Sequence, residues 1–337
     1  MAGVALGAAG VALALSARHG SPGVNSTSTA PPVTSVAVSG PPCPLTGAPA
    51  PGGEVPLRPA LAVKVDNYPT ARPQSGLDQA DVVFEEPVEG GITRLAAVFQ
   101  CQGADLVGPI RSARAVDVPI LDQLSRPLFI HAGGIAPVLG LLRVGNLLDE
   151  DVFTHGQVVD NPSGRVAPYD TYVSTAAAWG LDTTDRTPPE PLFTYATSAE
   201  AGQPVTQLHI PFSPTNDTTW RWDQTRQRWL LSYSGTPATV ADGTPVAAAD
   251  IVVERVQVSY GPWAENSEGG LEVQSKLTGS GPLLVLRNGQ EISGTWQRSS
   301  LGDVTTLTAA DGTVIALAPG PTWVEIVPVA VAVTVSP

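Results

Sequence analysis

From Pro204 to Pro328 the chain is a succession of short, β-branched, alternating segments such as "DIVVERVQV", "PLLVLRNGQEI" and "TWVEIVP", cut by Asn-Gly, Asp-Gly and Ser-Gly pairs. Asn288-Gly289 and Asp311-Gly312 are the strongest of these cuts. A type I′ hairpin turn needs positive φ at both central residues, which Asn-Gly and Asp-Gly supply at least cost. Such a pattern admits antiparallel β structure and little else, and it predicts a β-rich domain over 204–330. Six of the seven tryptophans stand in this block: Trp220, Trp222, Trp229, Trp263, Trp296 and Trp323. Large aromatics dominate burial in β domains, so most are expected in the core; two or more exposed on one face would instead make a stacking platform for sugar rings.

The preceding block, 57–200, has a different grammar. "LAVKVDN" (61–67), "ADVVFEE" (80–86), "TRLAAVFQ" (93–100) and "PLFIHAGG" (127–134) are apolar runs closed by Gly, Asn or polar residues, as buried strands are. Between them, "SARAVDVPILDQLS" (112–125) and "APVLGLLRVG" (136–145) carry apolar residues at helical spacing. Pro119 predicts a kink or a late start in the first helix. The expected fold is therefore an α/β N-terminal domain, a mixed sheet with covering helices on both faces, followed by a mostly antiparallel β C-terminal domain. At 337 residues the chain is long enough for two domains, each with its own core.

Residues 2–17 contain no charge and are closed by Arg18 and His19, which predicts a signal peptide or short membrane anchor over 1–19. Residues 20–56 are rich in Pro, Ser, Thr and Gly, the composition of an extended disordered tether. Export would put Cys43 and Cys101 in an oxidising compartment, where a disulfide is their natural use; two separate buried thiols are the alternative. The formal charge of −13 repels phosphate backbones and argues against a nucleic-acid partner. The membrane, through the N-terminal segment, and a cell-wall polymer or other anionic ligand are the partners this reading allows.

The densest chemistry lies between Gly76 and Arg114, "GLDQADVVFEEPVEGGITRLAAVFQCQGADLVGPIRSAR". Arg94, Arg111 and Arg114, with Arg72 upstream, offer guanidinium forks that match carboxylate or phosphate. Ser112 stands with Arg111 at an expected helix start, and Gly90-Gly91 beside Glu86 would let backbone approach a ligand. Glu85 and Glu89 are candidate catalytic carboxylates. His131, followed by Gly133 and Gly134 at a strand end, is the third catalytic candidate. Against these stands a structural reading, in which the acids and arginines neutralise one another as ion pairs along the sheet's rim. The histidines have no metal-ligand spacing, and there is no GxSxG elbow, P-loop or dinucleotide fingerprint, so neither metal nor cofactor is expected.

Several longer stretches, "CPLTGAP" (43–49), "ARPQSGLDQADVVFEEPVEGGITRLAAVFQ" (71–100), "VGPIRSAR" (107–114), "IHAGG" (130–134), "GSGPLLVLRNGQEISGTWQR" (279–298) and "PGPTWVEIVP" (319–328), resemble the YerB-like family of extracytoplasmic proteins with paired DUF3048 domains. The resemblance covers nearly everything after the tether. It implies an exported, membrane-linked protein of unassigned biochemistry. Many members resemble lipoproteins, whereas no lipidation cysteine follows the apolar run here. The function expected is that of an envelope-associated binding or scaffolding protein with an Arg/Glu cleft; the alternative is an envelope-polymer enzyme, transferring or hydrolysing phosphoryl or glycosyl groups, that uses the same cleft.

Overall fold

The computed structural model describes residues 40–198, 202–266 and 269–337. The signal peptide or anchor expected over 1–19, and residues 20–39 of the expected tether, lie outside the described residues. In 57–200 the apolar runs form β1 (Leu61–Asp66), β2 (Val82–Pro87), β3 (Thr93–Phe99) and β4 (Leu128–His131), with β5 (Leu148–Asp151) beyond them. Helix α1 (Asp117–Leu121) makes the late start that Pro119 demands: the proline falls in the first turn, where its missing N–H would have had no helical partner. Helices α2 (Ala136–Val144) and α3 (Thr175–Trp179) follow, the latter capped by the Ser174 hydroxyl, which accepts from the Ala177 N–H at 3.1 Å.

The C-terminal block supplies β6 (Gln207–Ser213), β7 (Asn216–Asp223), β8 (Arg228–Tyr233), β9 (Asp250–Val256), β10 (Val258–Ala264), β11 (Leu271–Ser275), β12 (Gly279–Arg287), β13 (Gln290–Arg298), β14 (Thr306–Ala309), β15 (Thr322–Pro328) and β16 (Thr334–Ser336). Eleven strands form one mixed sheet: ten run in the order β14, β13, β12, β9, β15, β2, β3, β1, β4, β5, and the two-residue strand Gln203–Pro204 pairs beside the start of β13. Strand β15 is the seam. It runs parallel to both β2 and β9, pairing Phe84 and Val252 with Val324, so segments 57–200 and 204–330 share a single sheet. The burial of β2, β9 and β15 on both faces explains their nearly continuous apolar sequences.

One face of this sheet is covered by α1 and α2 through Ile120, Leu121, Val138 and Leu142. The other is covered mainly by a second sheet containing β8, β7, β6 and β16, whose Leu208, Ile210, Trp220, Trp229 and Leu231 meet Val63, Leu95 and Trp323. The helices expected on both faces are thus replaced on one of them by sheet, with only the short α3 contributing there. Trp220, Trp229, Trp296 and Trp323 are fully buried in the core and Trp222 packs against it, while Trp263 is half-buried outside these clusters.

The two hairpin signals resolve differently. Asn288 and Gly289 both take positive φ, 52° and 72°, and close the tight turn between β12 and β13. At Asp311-Gly312 only the glycine does, at 88°. There the Asp311 carboxylate accepts from the Thr313 N–H and hydroxyl and builds the turn with its side chain.

Residues 40–56, whose composition reads as tether, are packed onto the fold. Cys43 is disulfide-bonded to Cys101, and Leu45 and Ala50 are fully buried. The Leu45 carbonyl accepts from the Tyr195 hydroxyl at 2.6 Å, and the Pro44 carbonyl from the Leu192 N–H. One cross-link and a few apolar side chains hold a stretch whose average composition argues for disorder.

Several acids are buried in the main sheet. Burial lifts Asp81 to about 6, against hydrogen bonds from the 100–102 backbone, and lifts Asp250 and Glu254 each to about 7, against Arg287 and Arg298 respectively. Each folded-state value lies above the unfolded one, so the folded protein holds the extra protons. The contribution of these three groups to stability is therefore full below about pH 4 and lost as pH rises towards about 7. The urea midpoint is expected to be lower at about pH 8 than at about pH 5, with Asp250→Asn removing part of the difference; a midpoint rising over that range would refute the assignment.

Candidate functional site

Strand alternation decides which charged residues of the 76–114 stretch can meet. Lys64, Asp66, Glu86 and Arg94 point to the helix-covered face. Lys64 Nζ is 2.5 Å from Asp117 Oδ1 and also ion-paired with Glu86, all three side chains being fully buried. The approach of α1 brings Arg111 and Arg114 alongside: Arg111 Nε lies 2.7 Å from Asp66 Oδ2, and Arg114 grips Glu89 with Nε (2.8 Å) and Nη2. Arg94 Nη1 donates to the Ser112 carbonyl at 3.2 Å. Glu265, at the end of β10, closes the group 3.4 Å from Arg114.

The electrostatics are those of a sealed cluster. Burial holds Lys64 down to about 8 although Asp117 pulls it back up, and burial with Arg114 nearby brings Arg94 to about 10. At Glu89 burial is outweighed by the Arg114 hydrogen bonds and charge, which keep the carboxyl below its ordinary range. Glu86, Glu89, Arg94, Arg111, Ser112 and Arg114 therefore come together, but the guanidinium forks close on carboxylates and carbonyls of the same chain. Only Arg111 keeps substantial exposure, with 29% of its side chain accessible.

The remaining residues lie elsewhere. His131, at the end of β4, places Nε2 2.7 Å from Asp149 Oδ1 and Nδ1 2.9 Å from the Gly133 carbonyl. Both partners are acceptors, so only the imidazolium satisfies them. Burial lowers the pKa and these bonds raise it more, leaving it above the ordinary histidine value. Gly133 has positive φ, and a Cβ there would meet the Phe153 ring at 3.2 Å; at Gly134 it would meet Leu139 at 3.4 Å. Gly90 and Gly91, at φ 76° and 71°, shape the β2–β3 turn, with open space beside Gly90.

Glu85 points to the opposite, inter-sheet face and is fully buried. It accepts from Thr93 Oγ1 (2.7 Å) and Asn67 Nδ2 (3.2 Å) through Oε1, and from the Tyr233 hydroxyl (3.1 Å) through Oε2. Its register partner on β15 is Glu325, also fully buried, which accepts from Trp220 Nε1 at 2.6 Å. Arg72 binds the outer side of this network. Its Nε and Nη2 donate to Asn67 and Asn216, and its guanidinium lies 3.6 Å over the Tyr233 ring. Arg72, Gln74 and Tyr233 then line an open cavity of about 390 Å³, with Thr215, Ser234 and Thr239 adding hydroxyls.

This cavity is the candidate site. Its walls come from residues 69–74 and 215–239, the two sequence blocks meeting across it. Of the residues singled out in the sequence, Arg72 lines it and Glu85 stands behind it. Asn67, Gln74, Asn216, Tyr233 and Glu325 were missed. Glu325 had a legible signal, a carboxylate inside the apolar run "TWVEIVP"; the others are single polar residues whose meeting depends on sheet packing.

Models of the N-terminal and C-terminal domains of "Protein of unknown function (DUF3048)" match residues 45–188 and 208–324. This chain belongs to the DUF3048 family. The protein named "Putative lipoprotein YerB" from Bacillus subtilis (strain 168) is 29% identical over 279 residues, covering 80% of this chain and 81% of that one. The crystal structure of the YerB protein from Bacillus subtilis superposes with a TM-score of 0.75 at 26% identity, covering 87% of this chain and 99% of that chain. Both DUF3048 matches begin after residue 40, within the described fold.

Proposed function

We propose that this DUF3048 protein is an exported, envelope-associated binding protein, held at the membrane by its N-terminal segment, whose ligand site is the Arg72–Tyr233 cavity. The carrying observation is an open cavity of about 390 Å³ combining one guanidinium, an aromatic ring, an amide and several hydroxyls. That is the lining a hydroxyl-rich or anionic ligand needs, such as a fragment of a cell-wall polymer. The Cys43–Cys101 disulfide and the lipoprotein name of its Bacillus relative support an extracytoplasmic location. The sealing of Glu89, Arg94 and Arg114 favours the cavity over the Arg/Glu cluster as the place where a ligand enters.

Binding of soluble wall fragments measured by calorimetry tests this reading. Arg72→Ala is expected to weaken binding about tenfold to a hundredfold, the usual effect of losing a charged hydrogen bond. Ala238→Trp, which puts bulk into the cavity from a residue that takes no part in the Asn67 network, is expected to do the same. Unchanged affinity in both variants, with the fold intact by circular dichroism, would remove the cavity as the site.

A further inference from the structure

We infer that the Arg72 cavity recognises an oxyanion on its ligand and takes up a proton as it binds, the proton passing from solvent to the carboxyl pair Glu85–Glu325 behind the cavity wall. The inference rests on the cavity being the ligand site and adds the ligand's chemistry and its coupling to pH. Glu85 and Glu325 occupy paired positions on adjacent parallel strands, about 4.8 Å apart, with both side chains on the inter-sheet face and no solvent contact. Two carboxylates so placed cannot both hold a charge without a counter-ion, and they titrate as a pair. Glu325 Oε2 has no hydrogen-bond partner among the described residues, so charge on that carboxyl has only the Trp220 N–H to support it. Burial first, and then Glu85, push Glu325 well above the carboxylate range.

The charged and titratable groups around the pair are few. From the second sheet comes Tyr233, whose phenol is pushed well above its ordinary value by burial and then by Glu85, alongside the neutral Trp220 and Thr218. From β9 the register partner of Glu325 is Val253, and Arg255 beyond it donates to the carbonyls of Pro328, Val329 and Val331. From β3 and the end of β1 come Thr93 and Asn67. This leaves Arg72 as the cation coupled to Glu85, by two routes: through Asn67, and through the Tyr233 ring it covers and the hydroxyl that ring donates. Among the described residues Arg72 Nη1 has no protein acceptor, so an oxyanion can engage it from the cavity. The guanidinium charge is then shared, Glu85 loses part of its compensation, and the pair binds one more proton. Because the bound state holds more protons than the free state, affinity must fall as pH rises, by up to tenfold per unit between the pair's free and bound titration points.

Calorimetry in two buffers of different ionisation enthalpy counts the protons. The probes are glucose, glucuronate and glucose 6-sulfate, which share a ring and do not titrate near neutral pH. Both anions are expected to bind more tightly than glucose with an uptake approaching one proton, and the uptake is expected to vanish in Glu325→Gln and in Glu85→Gln while anion binding persists. Either isosteric variant suffices should the other fail to fold. Anion binding without proton uptake, or uptake unchanged in the folded variants, would overturn the coupling and leave the cavity standing. Glucose binding as tightly as both anions would overturn the oxyanion. No binding by any probe would remove the cavity reading and this inference together.

Discussion

Lys64→Met is expected to destabilise the protein by roughly 3–5 kcal/mol, the cost of breaking a buried ion pair from one side. Lys64 is one of two lysines in the chain and lies on β1 with its ammonium between Glu86 and Asp117, all without solvent contact. Methionine fills a similar volume, so the loss comes from two carboxylates left in a low-dielectric site. That origin has a signature: adding Glu86→Gln and Asp117→Asn to Lys64→Met should restore much of the stability, since neutral amides remove the stranded charges. Urea unfolding of the single and triple variants decides it. A single-variant loss below about 1 kcal/mol would mean that the cluster is wetter and more adaptable than its geometry shows.

The second large effect concerns the disulfide. Replacing Cys43 and Cys101 together by serine is expected to cost about 4 kcal/mol by loop-closure entropy, because the bridge spans 58 residues. It should also release residues 40–56 first. Their other attachments are the buried Leu45 and Ala50 and the hydrogen bonds that the carbonyls of Pro44, Leu45, Thr46 and Pro56 accept from Leu192, Tyr195, Gly320 and Gln100. Limited proteolysis is expected to cut near Pro51 in the serine variant or under reductant well before the main sheet opens. Protection of that stretch equal to the oxidised protein would show that side-chain packing alone holds it.

Much of the secondary structure was legible because it is a local matter. The runs at Leu61, Val82, Thr93 and Leu128 became strands where their apolar residues predicted, and Pro119 delayed α1 as its missing N–H required. The Asn288-Gly289 turn followed from backbone sterics alone. Asp311-Gly312 did not, since a side chain that hydrogen-bonds its own turn offers a second solution to the same dipeptide. The candidate site was legible only in part. The charged stretch was visible, but its assembly into one cleft depended on faces: Glu85 and Glu86, adjacent in sequence, ended on opposite sides of the sheet with different partners.

By itself, then, the sequence determined the strands, the hairpins, the negative charge and the two cysteines, because each rests on residue chemistry or on neighbours a few positions away. Only the tertiary structure decided that β15 would pass between β2 and β9 and set Glu325 beside Glu85. It alone brought Tyr233 and Asn216 over Arg72, and turned Arg94 and Arg114 inward onto Glu89. Strand partners far apart in sequence are chosen by which buried faces fit and which charges can be neutralised there, and those quantities exist only once the sheets have packed.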